Sequence, residues 1–590
     1  MDRLAKEKSP YLRHAAHQKI NWYPWSEEAF EQARKEDKPV FLSSGATWCH
    51  WCHVMARECF EDEEIADALN EHFISIKLDR DERPDIDRRY QQVLTAMGYG
   101  GGWPLSVFLT PDKIPFFGGT YFPPDDAHGR PGFRKVLKTV SEYYLSHRRE
   151  LSASSQQFAE ALKTRHPAGG EIDSKSIDEA VGKALSHFDP QNGGFGLSPK
   201  FPMPGIVTYL LNRFFVTKAE STGYAVRKTL EMMAKGGIHD QVGGGFHRYS
   251  VDSEWIIPHF EKLADDNAWH LRVYTDAYAV FGSEYFKEVA MGIIRFLKEV
   301  LSDPAGGFYA SQDADVSPDD EGGYFTWTDR DFKRALNDEE YKVLSLHLLH
   351  ERGATHHDPS KKTLFVAEDI REIVSKTGLD RQTVLTIISN GKSKLLAERN
   401  SRKPPFVDKT LYTSLNGMLI SSFLKAFRIF REDGLKKFAL KSLRRIVSLY
   451  LKDRELFHTD GVKGVLDDFI YLIEAFVAAY EVTGEAAYSQ SADKLLQLCM
   501  VKFWDSEGGG FFDTDVDVVG VRLKGVEDLP HPSANALGIM LMLKLHFMTG
   551  KKEYREFAET ALKAFSSTAE QAAVHAGTYY CSLDTFFSMM

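Results

Sequence analysis

A short motif with two cysteines constrains the fold of this chain more than any other feature. Residues 48–53 read Trp-Cys-His-Trp-Cys-His, and they come soon after the apolar run Pro39-Val-Phe-Leu42. The apolar run predicts a strand, and a helix is predicted from about Cys49 to His72. A Cys-x-x-Cys pair at a strand-to-helix junction is typical of redox sites. The motif therefore predicts thiol–disulfide chemistry at this junction.

The segments around the motif predict alternating helices and strands. Ser26 precedes a helix-like stretch and is expected to cap it. The expected elements are a helix at 27–36, strands at 40–42 and 73–79, a hairpin formed by 105–109 and 116–117, and a final helix at about 133–162. The order βαβαββα is that of a thioredoxin fold, so an α/β thioredoxin-like domain is predicted over residues 1–165.

The residues of the motif have different expected roles. Cys49 lies at the predicted helix N-terminus, where free N–H groups and the helix dipole stabilise a thiolate. His50 adds a positive charge beside it and makes the disulfide more oxidising. Cys49 is therefore the expected attacking thiol and Cys52 the resolving thiol. Pro104, directly before the strand 105–109, is the expected cis-proline that faces the cysteines in thioredoxin folds.

Other interpretations of the motif stay open at this point. Cys49-His-Trp-Cys-His53 also matches the attachment pattern of c-type haem. Cys49, Cys52, His50 and His53 could together ligate a metal. The two cysteines could also be inert and merely packed. The prediction includes no cofactor and no metal. Cys59 is too far from Cys52 for a disulfide and is expected in the core.

Composition excludes some classes of function. The net charge of −11 argues against a nucleic-acid partner, which requires a concentrated basic surface. The first ten residues have no apolar run typical of a secretory signal, and no uncharged apolar run reaches the ~18 residues of a membrane span. Five cysteines in 590 residues do not make a disulfide scaffold. A cytoplasmic protein without a membrane partner is therefore expected.

After a predicted linker at 166–170, helical patterns follow one another with few strand signals. Six helical hairpins are expected, and the segment 353–405 fits poorly and is interpreted as an insertion. Loops of the type Gly-Gly-Phe recur between the helices, and their aromatic residues are expected to plug the ends of the helical layer. The twelve helix candidates are 174–188, 203–217, 221–236, 259–281, 283–301, 338–350, 410–432, 434–452, 464–483, 486–504, 532–548 and 551–570.

Several long motifs resemble a known family. They include Asn21-Trp-Tyr-Pro-Trp25, the cysteine motif, Leu78-Asp-Arg-Asp-Glu-Arg-Pro-Asp85 and Asp240-Gln-Val-Gly-Gly-Gly-Phe-His-Arg-Tyr-Ser250. In these the chain resembles the spermatogenesis-associated protein 20 / YyaL family over nearly its whole length. The resemblance implies a thioredoxin-like domain followed by an all-α (α/α)6 six-hairpin toroid at 171–590, similar to N-acylglucosamine 2-epimerases and six-hairpin glycosidases.

A toroid of this kind binds sugars in a funnel, so the resemblance implies a sugar-like small molecule as ligand. A histidine there could be the general base of an epimerase, and a carboxylate pair such as Asp240 with Glu261, or Asp313 with Asp467, could serve glycoside hydrolysis. The alternative is that these groups form ion pairs and helix caps. The candidate substrate-binding residues are Asp240, His247, Arg248, Tyr249, His259, Glu261, Asp313 and Asp467.

The chain departs from the family pattern at 263–267, 413–417 and 532–536, three segments interpreted as cavity-lining loops. The sequence therefore predicts a redox or redox-sensing protein with a protein redox partner, acting through Cys49 and Cys52. The alternatives are a sugar epimerase, isomerase or glycoside hydrolase in the toroid, or a scaffold without catalysis.

Overall fold

The computed structural model describes residues 3–127, 129–163, 169–317, 320–356, 358–529 and 531–589. The chain divides into two compact units, which we call the thioredoxin-like unit (1–167 with 512–523) and the toroid unit (168–511 with 524–590). Most of the predicted linker, residues 166–168, lies outside the described residues.

One assignment from sequence is corrected by this division. The segment 512–523 was predicted to belong to the helical domain, but it is part of the thioredoxin-like unit. The buried guanidinium of Arg89 donates to both carboxylate oxygens of Asp513 at 3.0 Å and to the Val521 carbonyl at 3.1 Å. Val521 and Leu523 also pack against Val93. These contacts hold the segment in this unit, although more than 400 residues separate it from Arg89.

The thioredoxin-like unit is an α/β fold around a mixed sheet. Its helices are α1 (Pro10–His14), α2 (Glu27–Glu36), α3 (His50–Met55), α4 (Glu63–His72), α5 (Pro84–Ala96) and α6 (Phe133–Lys163). Its strands are β1 (Tyr23–Pro24), β2 (Val40–Gly45), β3 (Ile74–Asp79), β4 (Leu105–Leu109) and β5 (Pro115–Gly119). Within the described part of this unit the strand order is β1-β3-β2-β4-β5, with β1, β3 and β2 parallel and β4 and β5 antiparallel to their neighbours. The central strands β2, β3 and β4 are buried along their whole length, including their polar residues Ser43, Lys77 and Ser106.

Two local predictions in this unit need correction. The helix predicted from Cys49 to His72 is interrupted by a π-helical turn at Ala56–Phe60, after which Asp62 caps α4 by accepting from the Ile65 amide at 2.9 Å. Ser26 occupies the cap position of α2, but its hydroxyl makes no capping hydrogen bond. The final helix α6 is found at the predicted place, with a non-helical residue at His147.

The toroid unit is built mainly of helices. They are α7 (Lys175–Ser186), α8 (Pro204–Thr217), α9 (Glu220–Lys235), α10 (Ala264–Phe281), α11 (Glu284–Glu299), α12 (Asp329–Ala335), α13 (Asp338–Leu348), α14 (Ile370–Thr377), α15 (Arg381–Asn400), α16 (Thr413–Phe430), α17 (Asp433–Tyr450), α18 (Leu466–Thr483), α19 (Ala486–Phe503), α20 (Ala534–Thr549), α21 (Lys552–Ala572) and α22 (Gly577–Ser588). Short strands join the loops: β6 (Lys262–Leu263), β7 (Ser311–Gln312), β8 (Val407–Asp408), β9 (Leu451–Lys452), β10 (Glu455–Thr459) and β11 (Val462–Lys463).

Helix contacts define a closed double ring. Among the described residues, α8, α10, α16, α18, α20 and α22 each contact the next, and α22 returns to α8. Each of these inner helices has an outer partner, in the order α9, α11, α17, α19, α21 and α7. The inner helix α18 is buried around most of its circumference, whereas the outer helix α17 buries a single face. This arrangement is the predicted (α/α)6 toroid.

One helix that was predicted to belong to the ring lies outside it, and a helix that was not predicted takes its place. The predicted helix 338–350 is α13, which lies outside the ring and shares a separate small core with α12, α14 and α15 around Trp327, Phe332 and Leu344. The inserted region is therefore larger than the predicted 353–405. The missing ring helix is α22, which was not predicted because its sequence is apolar on most sides and shows little helical periodicity.

The Gly-aromatic loops have the predicted role in packing. Phe246, Phe308 and Phe511 are fully buried. The amide of each phenylalanine donates to the side chain of an asparagine at 2.7 Å, and the asparagine amide donates back to the carbonyl of the same phenylalanine. We call these three residues, Asn267, Asn416 and Asn535, the clamp asparagines. They lie in the first turns of inner helices, so the three segments with departures from the family pattern begin helices and were wrongly interpreted as loops.

Candidate functional site

The two cysteines of the motif form a disulfide where strand β2 gives way to helix α3. Cys49 is the N-cap residue of α3, and its sulfur accepts a hydrogen bond from the Cys52 amide at 3.2 Å. Both cysteines are almost fully buried, whereas Trp51 between them is 42% exposed. The pair therefore lies just below the surface at a helix N-terminus, where backbone N–H groups stabilise a thiolate.

Pro104 follows Trp103, and Trp103 contacts the cysteine motif. The Trp103–Pro104 peptide bond is cis, as the sequence predicts, and Pro104 directly precedes β4. The indole of Trp103 meets that of Trp48 edge to face, with 5.7 Å between ring centroids. The residue before the cis-proline thus contacts the residue before Cys49.

Charged residues surround this pair of indoles. Trp48 donates to Asp81 at 2.8 Å, and Trp103 donates to Asp87 at 3.0 Å. Asp87 also accepts from Ser44 of β2 at 2.6 Å, and burial raises the pKa of its carboxyl. Arg80 lies 4.7 Å above the Trp103 ring. Asp87, Asp81 and Arg80 were missed as site residues, although Arg80, Asp81 and the preceding Asp79 belong to a family motif.

His50 and Cys59 complete the description of the motif. His50 is the first residue of α3, it is buried, and its ring meets Trp51 edge to face. Cys59 is a free, buried thiol in the π-helical turn, and it donates to the Phe122 carbonyl. Burial raises the pKa of Cys59 to about 12. Cys59 is therefore a core residue, as the sequence predicts.

In the toroid unit, Asp240 and His247 are held by structural contacts. The carboxylate of Asp240 is buried and accepts from Lys262 at 2.6 Å and from Arg399 at 2.8 Å. These two cations hold the pKa of Asp240 well below its usual range, against the effect of burial. His247 shares a hydrogen bond with the Phe260 carbonyl at 2.7 Å, and burial lowers its pKa to about 3.

A second group of predicted residues does come together. Arg248 lies 3.6 Å from Glu261, and the His259 ring packs on Tyr249 with 4.5 Å between centroids. One carboxylate oxygen of Glu261 is buried without a hydrogen-bond partner, and burial raises the pKa of this group. His259 also pairs with Glu321 at 3.4 Å.

The predicted aspartates Asp313 and Asp467 lie on different elements. Asp313 follows β7, and its carboxylate accepts from the Asp315 amide at 3.3 Å. Asp467 is the second residue of α18, where the next residue, Asp468, caps the helix and binds His458 at 2.8 Å. A sugar site in the toroid unit stays a prediction.

Comparisons with known proteins agree with this organisation. Residues 1–163 match the model of a family described as "Protein of unknown function, DUF255". Human spermatogenesis-associated protein 20 is 34% identical over 97% of this chain and 79% of its own length. An uncharacterized protein of Caenorhabditis elegans is 35% identical over 96% of this chain and 83% of its length. A thioredoxin of Alicyclobacillus acidocaldarius is 32% identical over 14% of this chain and 75% of its own length.

Solved structures resemble this chain more weakly than these relatives do. The cellobiose 2-epimerase of Spirochaeta thermophila has a TM-score of 0.45 and 10% identity over 74% of this chain and 98% of its own. The GH76 α-mannanase BT2949 of Bacteroides thetaiotaomicron has a TM-score of 0.43 and 12% identity over 71% of this chain and 97% of its own. None of the helices in the described residues is both long and apolar enough to cross a membrane.

The fold and the site define a thioredoxin-like protein with a Cys-His-Trp-Cys thiol–disulfide motif joined to a helical (α/α)6 toroid. The sequence identity with the spermatogenesis-associated protein 20 relatives covers nearly the whole chain, and this shows the family of the protein. The chain belongs to the spermatogenesis-associated protein 20 family.

Proposed function

We propose that this protein carries out thiol–disulfide exchange with a protein partner through Cys49 and Cys52. The observation that carries the proposal is the Cys49–Cys52 disulfide at the N-terminus of α3. In the reduced protein, the Cys52 amide and the other free N–H groups of the helix can donate to the Cys49 thiolate and lower its pKa. The oxidised pair in the structure is the product expected after a partner has been reduced.

The exchange takes place in two displacements. The Cys49 thiolate attacks one sulfur of a partner disulfide, which forms a mixed disulfide and releases the other partner sulfur as a thiolate. Cys52 then loses its proton and attacks the Cys49 sulfur. This step forms the Cys49–Cys52 bond, breaks the bond to the partner and releases the partner as a dithiol. Two electrons pass to the partner, and a dithiol donor returns the pair to its reduced form.

The proposal includes a cytoplasmic location, which the cysteine chemistry supports. Among the described residues, Cys59, Cys499 and Cys581 are free and buried. Burial raises the pKa of Cys581 to about 12 and that of Cys499 further still, so these thiols are unreactive. Free thiols with one redox-active pair are typical of a reducing compartment.

A trapping experiment tests the proposed exchange. Cys52→Ser leaves Cys49 able to attack but removes the thiol that resolves the mixed disulfide, so we expect covalent complexes that a reducing agent releases. Cys49→Ser and the buried-thiol variant Cys59→Ser are the matched controls, and the first should trap nothing whereas the second should behave as wild type. Equilibration of the wild-type pair with glutathione or dithiothreitol should give a potential between about −120 and −300 mV. A pair that does not cycle reversibly in this range would disprove the proposal.

A further inference from the structure

A buried lysine lies on the strand beside the one that leads to the disulfide. Lys77 is in strand β3, it is 2% exposed, and it is paired in register with Ser43 of β2, the strand that leads to the cysteine motif. Its ammonium group donates to the Ser43 hydroxyl at 3.2 Å. Within the described residues no carboxylate lies within ion-pair distance of it, and the rings of Tyr11, Trp22 and Phe60 surround it at 4.5–5.1 Å.

A buried cation without an anionic partner is costly, so a lysine in such a place favours its neutral form. Burial lowers the pKa of Lys77 to about 7. A neutral amine at this position is a base, and near neutral pH it can accept a proton without a large energetic barrier. Lys77 therefore has the chemistry of a proton acceptor in the pH range where thiols must be deprotonated.

Tyr11 connects this lysine with the sulfur of Cys52. The buried Tyr11 hydroxyl lies beside the Ser43 hydroxyl, which lowers the pKa of Tyr11 against the larger raising effect of burial, and in this oxidised protein its geometry is not that of a formed hydrogen bond. A Cβ placed on Gly45 would lie 2.3 Å from this hydroxyl and 2.7 Å from the Cys52 sulfur. Only glycine fits at position 45, because any side chain would occupy the space that the Tyr11 hydroxyl and the Cys52 sulfur both border.

The resolving step requires such an acceptor. Cys52 is 2% exposed, so its thiol cannot readily transfer a proton to bulk water. A buried thiol without help has a raised pKa and little thiolate at neutral pH. Cys52 attacks the Cys49 sulfur, which does not take up the Cys52 proton. The proton must therefore pass to a different group.

We propose that Lys77, acting through the hydroxyls of Ser43 and Tyr11, accepts the proton of the Cys52 thiol as Cys52 attacks the mixed disulfide on Cys49. The inference rests on the proposed function. In this step the proton of Cys52 passes to Tyr11, the Tyr11 proton passes by way of Ser43 to the Lys77 amine, and the Cys52 electron pair forms the bond to Cys49. The partner leaves as a thiolate, and Lys77 leaves the step as an ammonium group.

Among the residues that the structure describes, the charged groups that act on Tyr11 are the carboxyls of Asp79 and Asp87. Asp79, on the same strand face as Lys77, accepts from Ser9 at 2.6 Å, and Asp87 of α5 accepts from Ser44 and Trp103. Burial above all, and then the charges of both carboxylates, raise the pKa of Tyr11, so its hydroxyl stays protonated. Tyr11 can therefore relay a proton but cannot by itself be the final acceptor.

The test measures the resolving step alone. Reduced protein is mixed with one equivalent of Ellman's reagent, and the release of the second nitrothiobenzoate, which requires attack by Cys52, is followed by stopped flow between pH 5.5 and 9. For wild type we expect the rate to rise with a midpoint near pH 7. Lys77→Met should lose this midpoint and fall about 100-fold at pH 7.5, which is within the usual range for a proton-transfer group.

Two further variants separate proton transfer from charge and from stability. Lys77→Arg keeps a positive charge that does not deprotonate, so it should be as slow as Lys77→Met, whereas a purely electrostatic role for Lys77 predicts a normal rate. Tyr11→Phe leaves Lys77 in place and should also lose the midpoint, with thermal unfolding recorded as the control for folding. Unchanged pH profiles in folded Lys77→Met and Tyr11→Phe would overturn the inference while wild-type exchange still stands. Failure of wild type to form the mixed disulfide would instead refute the proposed function and the inference with it.

Discussion

At the scale of single residues, Asp240 shows how a buried charge serves the fold. Its carboxylate accepts from Lys262 and from Arg399, and all three side chains are buried. The same carboxylate also accepts from the backbone amide of Gly243 at 2.8 Å. The carboxylate thus connects a Gly-Gly-Gly-Phe loop to strand β6 and to helix α15.

Removing this negative charge should destabilise the toroid unit strongly. Asp240→Asn leaves two buried cations without an anion, and the loss of one partner of a buried ion pair costs about 3–5 kcal/mol. We expect a loss of this size in the free energy of unfolding, measured by urea titration at pH 7.5. The exposed Asp433→Asn is the matched control and should change it by less than about 0.5 kcal/mol. An Asp240→Asn protein as stable as wild type would contradict a structural role and would favour the predicted role in ligand binding.

The sequence predicts some residues of the sites and misses others for a physical reason. The pairing of Cys49 with Cys52 and the cis bond before Pro104 were predictable because each is encoded within a few neighbouring positions. The partners Lys77 and Tyr11 carry no such local signal, since an isolated lysine in a strand reads as a solvent-facing residue. Arg399 lies 159 residues from Asp240, and only the tertiary fold brings the two together.

At the scale of elements, the clamp asparagines join each Gly-aromatic loop to an inner helix. Asn416 accepts from the Phe308 amide and donates to the carbonyls of Phe308 and Tyr412. Asn267 makes the same set of bonds to Phe246 and Leu263. The sequence predicts the loops and the helices, but the repeated asparagine becomes meaningful only when its bonds across the loop are seen.

A single clamp should contribute measurably to stability. In Asn416→Ala the buried amide and carbonyl of Phe308 lose their side-chain partner, and each buried polar group left unpaired costs about 1–3 kcal/mol. We expect the free energy of unfolding to fall by about 2–6 kcal/mol, together with faster hydrogen exchange in the loop 303–310. Asn390→Ala removes an exposed helical asparagine and should leave both quantities near wild type. Unchanged exchange in the loop would show that the clamp is not needed there.

At the scale of the whole molecule, the order of helices along the chain explains how the ring closes. The outer helix α7, near the start of the toroid unit, pairs with the inner helix α22, which is near its end. The hairpin that closes the ring is therefore formed by two segments far apart in sequence. Local periodicity finds hairpins between neighbouring helices, so the prediction from sequence counted 338–350, which is α13, among the twelve helices of the ring. The helix that completes the ring is α22, because closing the ring packs it against α8 and α20.

Buried neutral histidines make the stability of the toroid unit sensitive to acid. Burial lowers the pKa of His247 and of His270 to about 3, and His270 is stacked on Phe246 at 3.9 Å between centroids. In the unfolded chain these groups have a pKa near 6.5. The unfolded state therefore binds more protons below about pH 6.5, and the unfolding free energy falls as the pH drops from there towards 3.

This effect can be assigned to one side chain. From pH 7 to pH 5 each such histidine should lower the unfolding free energy by about 2 kcal/mol. His270→Phe keeps a ring that can stack on Phe246 but cannot take up a proton, so its stability should fall by about 2 kcal/mol less than that of wild type over the same range. The exposed His187→Gln is the matched control and should leave the pH dependence unchanged. Urea titrations of the three proteins at pH 7, 6 and 5 measure the difference. Equal pH dependence in wild type and His270→Phe would mean that His270 accepts its proton within the folded toroid unit, and that burial there does not hold the ring neutral.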